Sequence, residues 1–172
     1  LKVINIKVEE QPTGEVSAGA GIGSDGGLFQ IGIKENNWLG TGKSVSFNLE
    51  LESESISGIL NYVDPNYDLL GNSLSYTLLT ESNDKPDQGY ENTLTSVAVA
   101  TAFEQYKDVY LSLGLSASYD DLRTDSSASA NLQKQDGSYS DISGNYSLSF
   151  DSRDRVFMPT SGSILKFGQT LP

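Results

Sequence analysis

The sequence predicts an all-β protein, an antiparallel up-and-down transmembrane β-barrel, and three observations carry that expectation. Apolar and polar residues alternate at period two from one end of the 172 residues to the other, as a strand with two unlike faces requires, and no segment has helical spacing. The connections between alternating segments are of two kinds that succeed each other along the chain. Aromatic residues gather at one kind only. Nine Tyr, six Phe, one Trp and seventeen Gly, with neither Cys nor His, make a β-rich inventory.

About nine strands follow a short charged opening. In "EVSAGAGIG", Val16, Ala18, Ala20 and Ile22 oppose Ser17, Gly19 and Gly21. In "LFQIGIK", Phe29, Ile31 and Ile33 oppose Gln30, Gly32 and Lys34. "SVSFNLELE" is the clearest case, with Val45, Phe47, Leu49 and Leu51 facing away from Ser46, Asn48, Glu50 and Glu52. The same rule holds in "SISGILNYV" from Ser55, "NSLSYTLLT" from Asn72 and "NTLTSVAVATAF" from Asn92. "VYLSLGLSASY" from Val109, "DISGNYSLSF" from Asp141 and "SGSILKFGQTL" from Ser161 complete the series.

One kind of connection is polar and varied in length: "SDGG", "SES", "ESNDKPDQG" and the long stretch from Asp120 to Ser140. The other is short and aromatic: "NNWLGTG", "DPNYDLLGN", "FEQYKD" and "RDRVFMPTSG". In a meander, alternate turns lie at the same end of the sheet. Trp38, Tyr67, Tyr106 and Phe157 therefore form one level ring, with Tyr62 and Phe103 beside it. Aromatic side chains settle at the headgroup boundary, and short turns belong to the periplasmic side of such a barrel. Several strands reach the roughly 9 to 11 residues that a tilted strand needs to cross a bilayer. A soluble sandwich shares the alternation but not the turn parity.

The remaining motifs point away from chemistry. The net charge of −12 disfavours nucleic acid, since phosphate binding needs a clustered basic surface. "GIGSDG" matches the dinucleotide fingerprint in letters, yet a strand follows it instead of a helix. Asp120 with Asp121, and Glu50 with Glu52, are the available carboxylate pairs, and both fit solvated charge better than glycoside chemistry. No Ser sits in a nucleophile elbow and no His exists to activate one. Asp64, Asn66 and Asp68 approach a calcium loop, but Leu69 stands where its glycine belongs. Arg153 and Arg155 beside Asp151 and Asp154 read as an ion-pair cluster that fixes a turn. No enzyme activity, metal or cofactor is expected.

"TGEVSAGAGIGSDGG", "NNWLGTGKSVSF", "VDPNYDLLGNSLSY" and "DSRDRVFMPTSGS" resemble the first half of the barrel in the bacterial surface antigen family, the BamA-type outer-membrane assembly factors. The resemblance covers nearly the entire chain. It implies that residues 1–12 end a periplasmic POTRA domain and that residues 13–172 are the N-terminal part of a barrel of about sixteen strands, so that the sheet here is incomplete. It implies a location in the outer membrane of a Gram-negative bacterium and a function in outer-membrane protein assembly and insertion. In the family the first strand pairs weakly with the last, and this lateral gate opens so that a client's strand can add to the edge. Carried over, the gate strand is Glu15, Val16, Ser17, Ala18, Gly19, Ala20, Gly21 and Ile22. Its glycines suit that role independently, because they weaken a strand. The implied partners are outer-membrane lipids, unfolded β-barrel clients and accessory periplasmic lipoproteins. A passive channel or secretion pore on the same architecture is the alternative, with Glu50 and Glu52 lining an acidic lumen.

Overall fold

The computed structural model describes residues 9, 11–23 and 26–172. Nine strands form one antiparallel sheet in strict sequence order: β1 (Gly14–Gly23), β2 (Gly26–Glu35), β3 (Ser44–Glu52), β4 (Ser55–Asp64), β5 (Ser73–Lys85), β6 (Tyr90–Tyr106), β7 (Val109–Thr124), β8 (Gly137–Asp151) and β9 (Ile164–Leu171). The anticipated alternation is present in every strand. The expected POTRA segment, residues 1–12, lies outside the described residues except for Glu9, Gln11 and Pro12, and so do Ser24 and Asp25 of the first hairpin turn.

Register joins the apolar positions into unbroken rows. Val16 pairs with Ile33, Ile33 with Phe47, Phe47 with Leu60 and Leu60 with Leu78. The row continues through Val97, Ala117 and Ile142. It begins near the start of β1, beside the β2–β3 turn, and finishes toward the β7–β8 turn end of β8, so the strands are tilted relative to the row, as barrel closure demands. The opposite face carries its own row: Glu15, Lys34, Ser46, Asn61, Thr77, Ala98, Ser116 and Ser143. Side-chain hydrogen bonds run along it, from Thr77 Oγ1 to Asn61 Oδ1 at 2.8 Å and between the Ser116 and Ser143 hydroxyls at 2.8 Å.

The sheet is inside-out by the standards of a water-soluble domain. Through β5 to β7 the apolar face is the exposed one and the polar face the more sheltered. Leu115 is 55% exposed and Ile142 67%. Ala128 is the single buried hydrophobic side chain among the described residues. The accessible surface of 12734 Å² compares with about 8,200 Å² for a compact protein of this mass. Among the described residues no second layer packs on the sheet, unlike a sandwich.

Three connections differ from the sequence reading. The segment 81–89 is mostly strand, because β5 runs on to Lys85 and only Pro86–Gln88 turn, as a single 3-10 helix. The long polar stretch 120–140 is likewise consumed by β7 and β8, and what remains holds a four-residue helix, α1 (Ala130–Gln133), capped by the Ser129 hydroxyl. Helical spacing is undetectable over four residues. The segment 103–108 is strand as far as Tyr106, with a bulge between Glu104 and Tyr106.

Candidate functional site

Two features of the sheet are candidates for function: the free edge of β1 and the ring of aromatic turns. Along β1, side chains alternate as the sequence requires, with Val16, Ala18, Ala20 and Ile22 on the apolar face and Glu15, Ser17, Gly19, Gly21 and Gly23 on the polar face. Ten register pairs join β1 to β2. Its other backbone edge pairs with nothing among the described residues.

Little side-chain packing accompanies that pairing. A Cβ at Gly21, Gly23 or Gly27 would have no neighbour within 4 Å, whereas one at Gly19 would meet the flexible Gln30 amide at 2.9 Å. The Ser17 hydroxyl reaches the Gly32 carbonyl at 3.5 Å, too long to contribute much. Ile22 is 95% exposed. Nothing along β1 blunts an edge: it carries no Pro and no bulge, and Glu15 is its one charge. At its start, beside the β2–β3 turn, the chain is tied down by the Thr13 hydroxyl donating to Glu35 and by Asn36 Nδ2 donating to the Thr13 carbonyl at 3.1 Å.

Strand order puts the β2–β3, β4–β5, β6–β7 and β8–β9 turns at one end, and all six ring residues lie in or beside them. Trp38 opens the short 3-10 turn Trp38–Gly40. Tyr67 and Phe157 lie in the β4–β5 and β8–β9 turns, and Tyr106 ends β6 opposite Val109. Tyr62 and Phe103 are strand residues of the apolar face, opposite Val45 and Leu111 respectively. None of the six stacks on another. Tyr62 pairs instead with Tyr76 of β5, ring centroids 6.1 Å apart.

Three of these turns are clasped by one Asn or Asp side chain that gathers backbone amides. Asn37 Oδ1 accepts from Gly42 N at 2.7 Å. Asp68 accepts from Leu70 N and Asn72 N at 2.9 and 3.0 Å, and the Asn72 amide bond lowers its pKa most. Asp154 accepts from Thr160 N at 2.9 Å and from the Thr160 hydroxyl at 2.7 Å, and the hydroxyl is the main cause of its lowered pKa. Asp151 and Arg153 form a two-pronged pair at 2.7 and 2.8 Å. The ion-pair cluster anticipated in this turn is therefore present, with Arg155 reaching Asp154 only at 3.7 Å.

The discarded motifs resolve into local structure. Asp120 and Asp121 point to opposite faces of β7. Asp64 Oδ1 accepts from Asn66 N at 3.2 Å, so the Asp64–Asn66–Asp68 spacing serves a turn. Sequence reasoning missed one group at the aromatic end. Lys43 Nζ lies 3.0 Å from Asp64 Oδ2 and 5.9 Å from the centre of the Tyr62 ring, and the bond to Asp64, with Tyr62 second, raises the lysine pKa. Its signal was present, since Asp64 continues the apolar alternation of Ile56, Leu60 and Tyr62 with a charge.

An open, tilted, antiparallel meander with its apolar face outward and aromatic turns at one end is a segment of a membrane β-barrel wall. The Omp85 superfamily domain matches residues 37–171, and the chain belongs to that superfamily, which puts the sheet in the outer membrane of a Gram-negative bacterium. The outer membrane protein assembly factor BamA of Neisseria meningitidis serogroup B is 27% identical over 113 residues, 65% of this chain and 13% of the relative. BamA of Neorickettsia risticii is 24% identical over 172 residues, covering 96% of this chain and 23% of the relative. The chain thus spans under a quarter of either. The crystal structure of BamA from Haemophilus ducreyi lacking POTRA domains 1–3 superposes with a TM-score of 0.71 at 23% identity, over 95% of this chain and 34% of that one. The sheet is of the BamA barrel type and supplies part of a larger barrel.

Proposed function

We propose that the protein assembles and inserts outer-membrane proteins, with β1 as one lip of a lateral gate to which a client strand adds. The carrying observation is the combination, on one strand, of a free backbone edge with a polar face left bare at Gly21 and Gly23. Strand addition draws its affinity from backbone hydrogen bonds. A partner with few side chains at the seam can therefore be gained and released without repacking. The BamA relatives are named as outer-membrane protein assembly factors, which supports the reading. No covalent step is involved.

In this scheme Trp38, Tyr62, Tyr67, Phe103, Tyr106 and Phe157 mark the periplasmic boundary of the bilayer. Residues 13–172 are the N-terminal part of the barrel, residues 1–12 close a POTRA domain, and accessory periplasmic lipoproteins join the assembly.

The test is Gly21→Val in the full-length protein. The added side chain has open space, so the barrel folds normally, while a β-branched residue stiffens the strand. Insertion of a β-barrel client into vesicles slows. Wild-type insertion kinetics in a folded Gly21→Val protein would overturn the gate.

A further inference from the structure

We propose that Lys43 and Asp64, with Tyr62 and Tyr76, bind a zwitterionic phospholipid headgroup that ends in a primary ammonium, of the phosphatidylethanolamine class, in the leaflet that meets the aromatic turns. This rests on the reading that the apolar face of the sheet touches lipid.

Placement comes first. Lys43 immediately precedes β3 and Asp64 ends β4. Alternation puts both on the apolar face, one step beyond the outward row of Val45, Tyr62 and Tyr76. The ion pair therefore stands where the apolar wall gives way to the turns, at the depth of headgroups. Tyr62 and Tyr76 pack together beside it.

Valence comes second. Lys43 has three donors, of which Asp64 engages one at 3.0 Å while the Tyr62 ring lies 5.9 Å away, leaving donor capacity for an acceptor such as a lipid phosphate. Asp64 accepts from Lys43 on Oδ2 and from Asn66 N on Oδ1, which leaves acceptor capacity on both oxygens for an ammonium donor. Phosphate on Lys43 and ammonium on Asp64 make an alternating ring of four charges with no net charge. An anionic headgroup satisfies only the lysine and meets repulsion from Asp64. A quaternary choline cannot donate a hydrogen bond to Asp64. A pin between two strands needs nothing more than the ion pair itself, and it would not distinguish one headgroup from another.

The experiment uses the full-length protein in nanodiscs of equimolar phosphatidylethanolamine, phosphatidylcholine and phosphatidylglycerol with identical acyl chains, followed by native mass spectrometry of the lipids it retains. Phosphatidylethanolamine is expected to be enriched by about three- to tenfold, the scale of one ordinary net hydrogen bond. Asp64→Asn keeps the acceptor for Asn66 N and a neutral partner for Lys43, so the barrel folds, while the preference shifts to the anionic lipid. Lys43→Gln abolishes the enrichment. Equal retention of the three headgroups by the wild-type protein, or an Asp64→Asn protein that still prefers phosphatidylethanolamine, overturns the proposal. A reporter at Leu115 that a lipid-borne quencher reaches, with no headgroup preference, removes this site alone. A reporter that stays unquenched removes the lipid-facing reading as well.

Discussion

The β1 edge of the sheet and its middle obey the same alternation and are built to different strengths. At one flank β1 is ten residues long and joins β2 through ten register pairs. Further along, β6 and β7 have 17 and 16 residues and sixteen register pairs. Outward apolar positions run from Val16 to Ile22 on β1, roughly 20 Å along the strand at about 3.3 Å per residue. On β7 they run from Val109 to Tyr119, roughly 33 Å, which at the usual barrel tilt of about 40° spans a bilayer core of about 25 Å. The polar faces differ too. Gly114 of β7 is covered by Asn145, whose amide would lie 2.6 Å from an added Cβ, while Gly21 of β1 is covered by nothing. One chain thus contains a fully spanning wall and a short, sparsely packed lip, a division that suits a barrel required to hold at one side and yield at the other.

The largest expected effect separates the two by depth. Leu115 lies in the middle of the apolar run of β7, opposite Val99 and Gly144, so Leu115→Arg should cost about 2–4 kcal/mol of barrel stability, against about 0–1 near an interface. Ile22→Arg, at the end of β1, belongs to the cheaper class. Urea titration of the full-length barrel refolded in vesicles reads both. Equal losses at the two positions would mean that the two regions sit at the same depth and that the comparison fails.

Most of the wall was legible because register and membrane ask for the same signal: period-two alternation fixes which face meets lipid, and turn parity fixes which ends lie together. Strand ends above the apolar belt were not legible. Asn83, Asp84 and Lys85 read as a loop because they are polar, yet they pair with Asn92, Glu91 and Tyr90. A polar strand standing clear of the bilayer has no apolar face to announce it. The Lys43–Asp64 pair was missed for a related reason: its partners lie 21 positions apart, and only register brings them to 3.0 Å. The edge character of β1 was expected from the family resemblance, with its glycines in support, but which glycines are bare and which covered depends on cross-strand neighbours such as Gln30.

A second, smaller test contrasts a glycine that is required with one that is not. Gly162, in the β8–β9 turn, has φ +91°, and a Cβ there would lie 2.2 Å from the Ser152 carbonyl oxygen. The backbone must move, so Gly162→Ala should cost roughly 1–3 kcal/mol. Gly21→Ala meets no atom and should be neutral, or stabilising by up to about 1 kcal/mol through the unfolded chain. The same urea titration checks both, and a neutral Gly162→Ala would show that the turn is looser than its hydrogen bonds imply.

The smallest effect asks whether the weakness of the β1 flank extends to its turn. The β2–β3 turn is clasped by the Asn37 amide, the β8–β9 turn by the Asp154 carboxylate. The second titrates directly, while the first also rests on Glu35, whose Oε1 accepts from Asn37 N at 2.8 Å and whose pKa is lowered mainly by the Thr13 hydroxyl. The folded pKa of Asp154 lies below its ordinary value of 3.8, so its contribution is fully present above pH 3.8 and disappears as pH falls through the depressed folded value. Hydrogen exchange at the Thr160 and Ser161 amides, both bonded to Asp154, should therefore accelerate in that acid window, and Asp154→Asn should remove the acid dependence. Trp38, the single tryptophan of the chain, reports the other turn by its fluorescence, which should respond to acid through Glu35 and keep that response in Asp154→Asn. An Asp154→Asn protein whose tryptophan response is also lost would mean that acid loosens the whole aromatic end through a shared cause, and the two turns could no longer be treated as separately clasped.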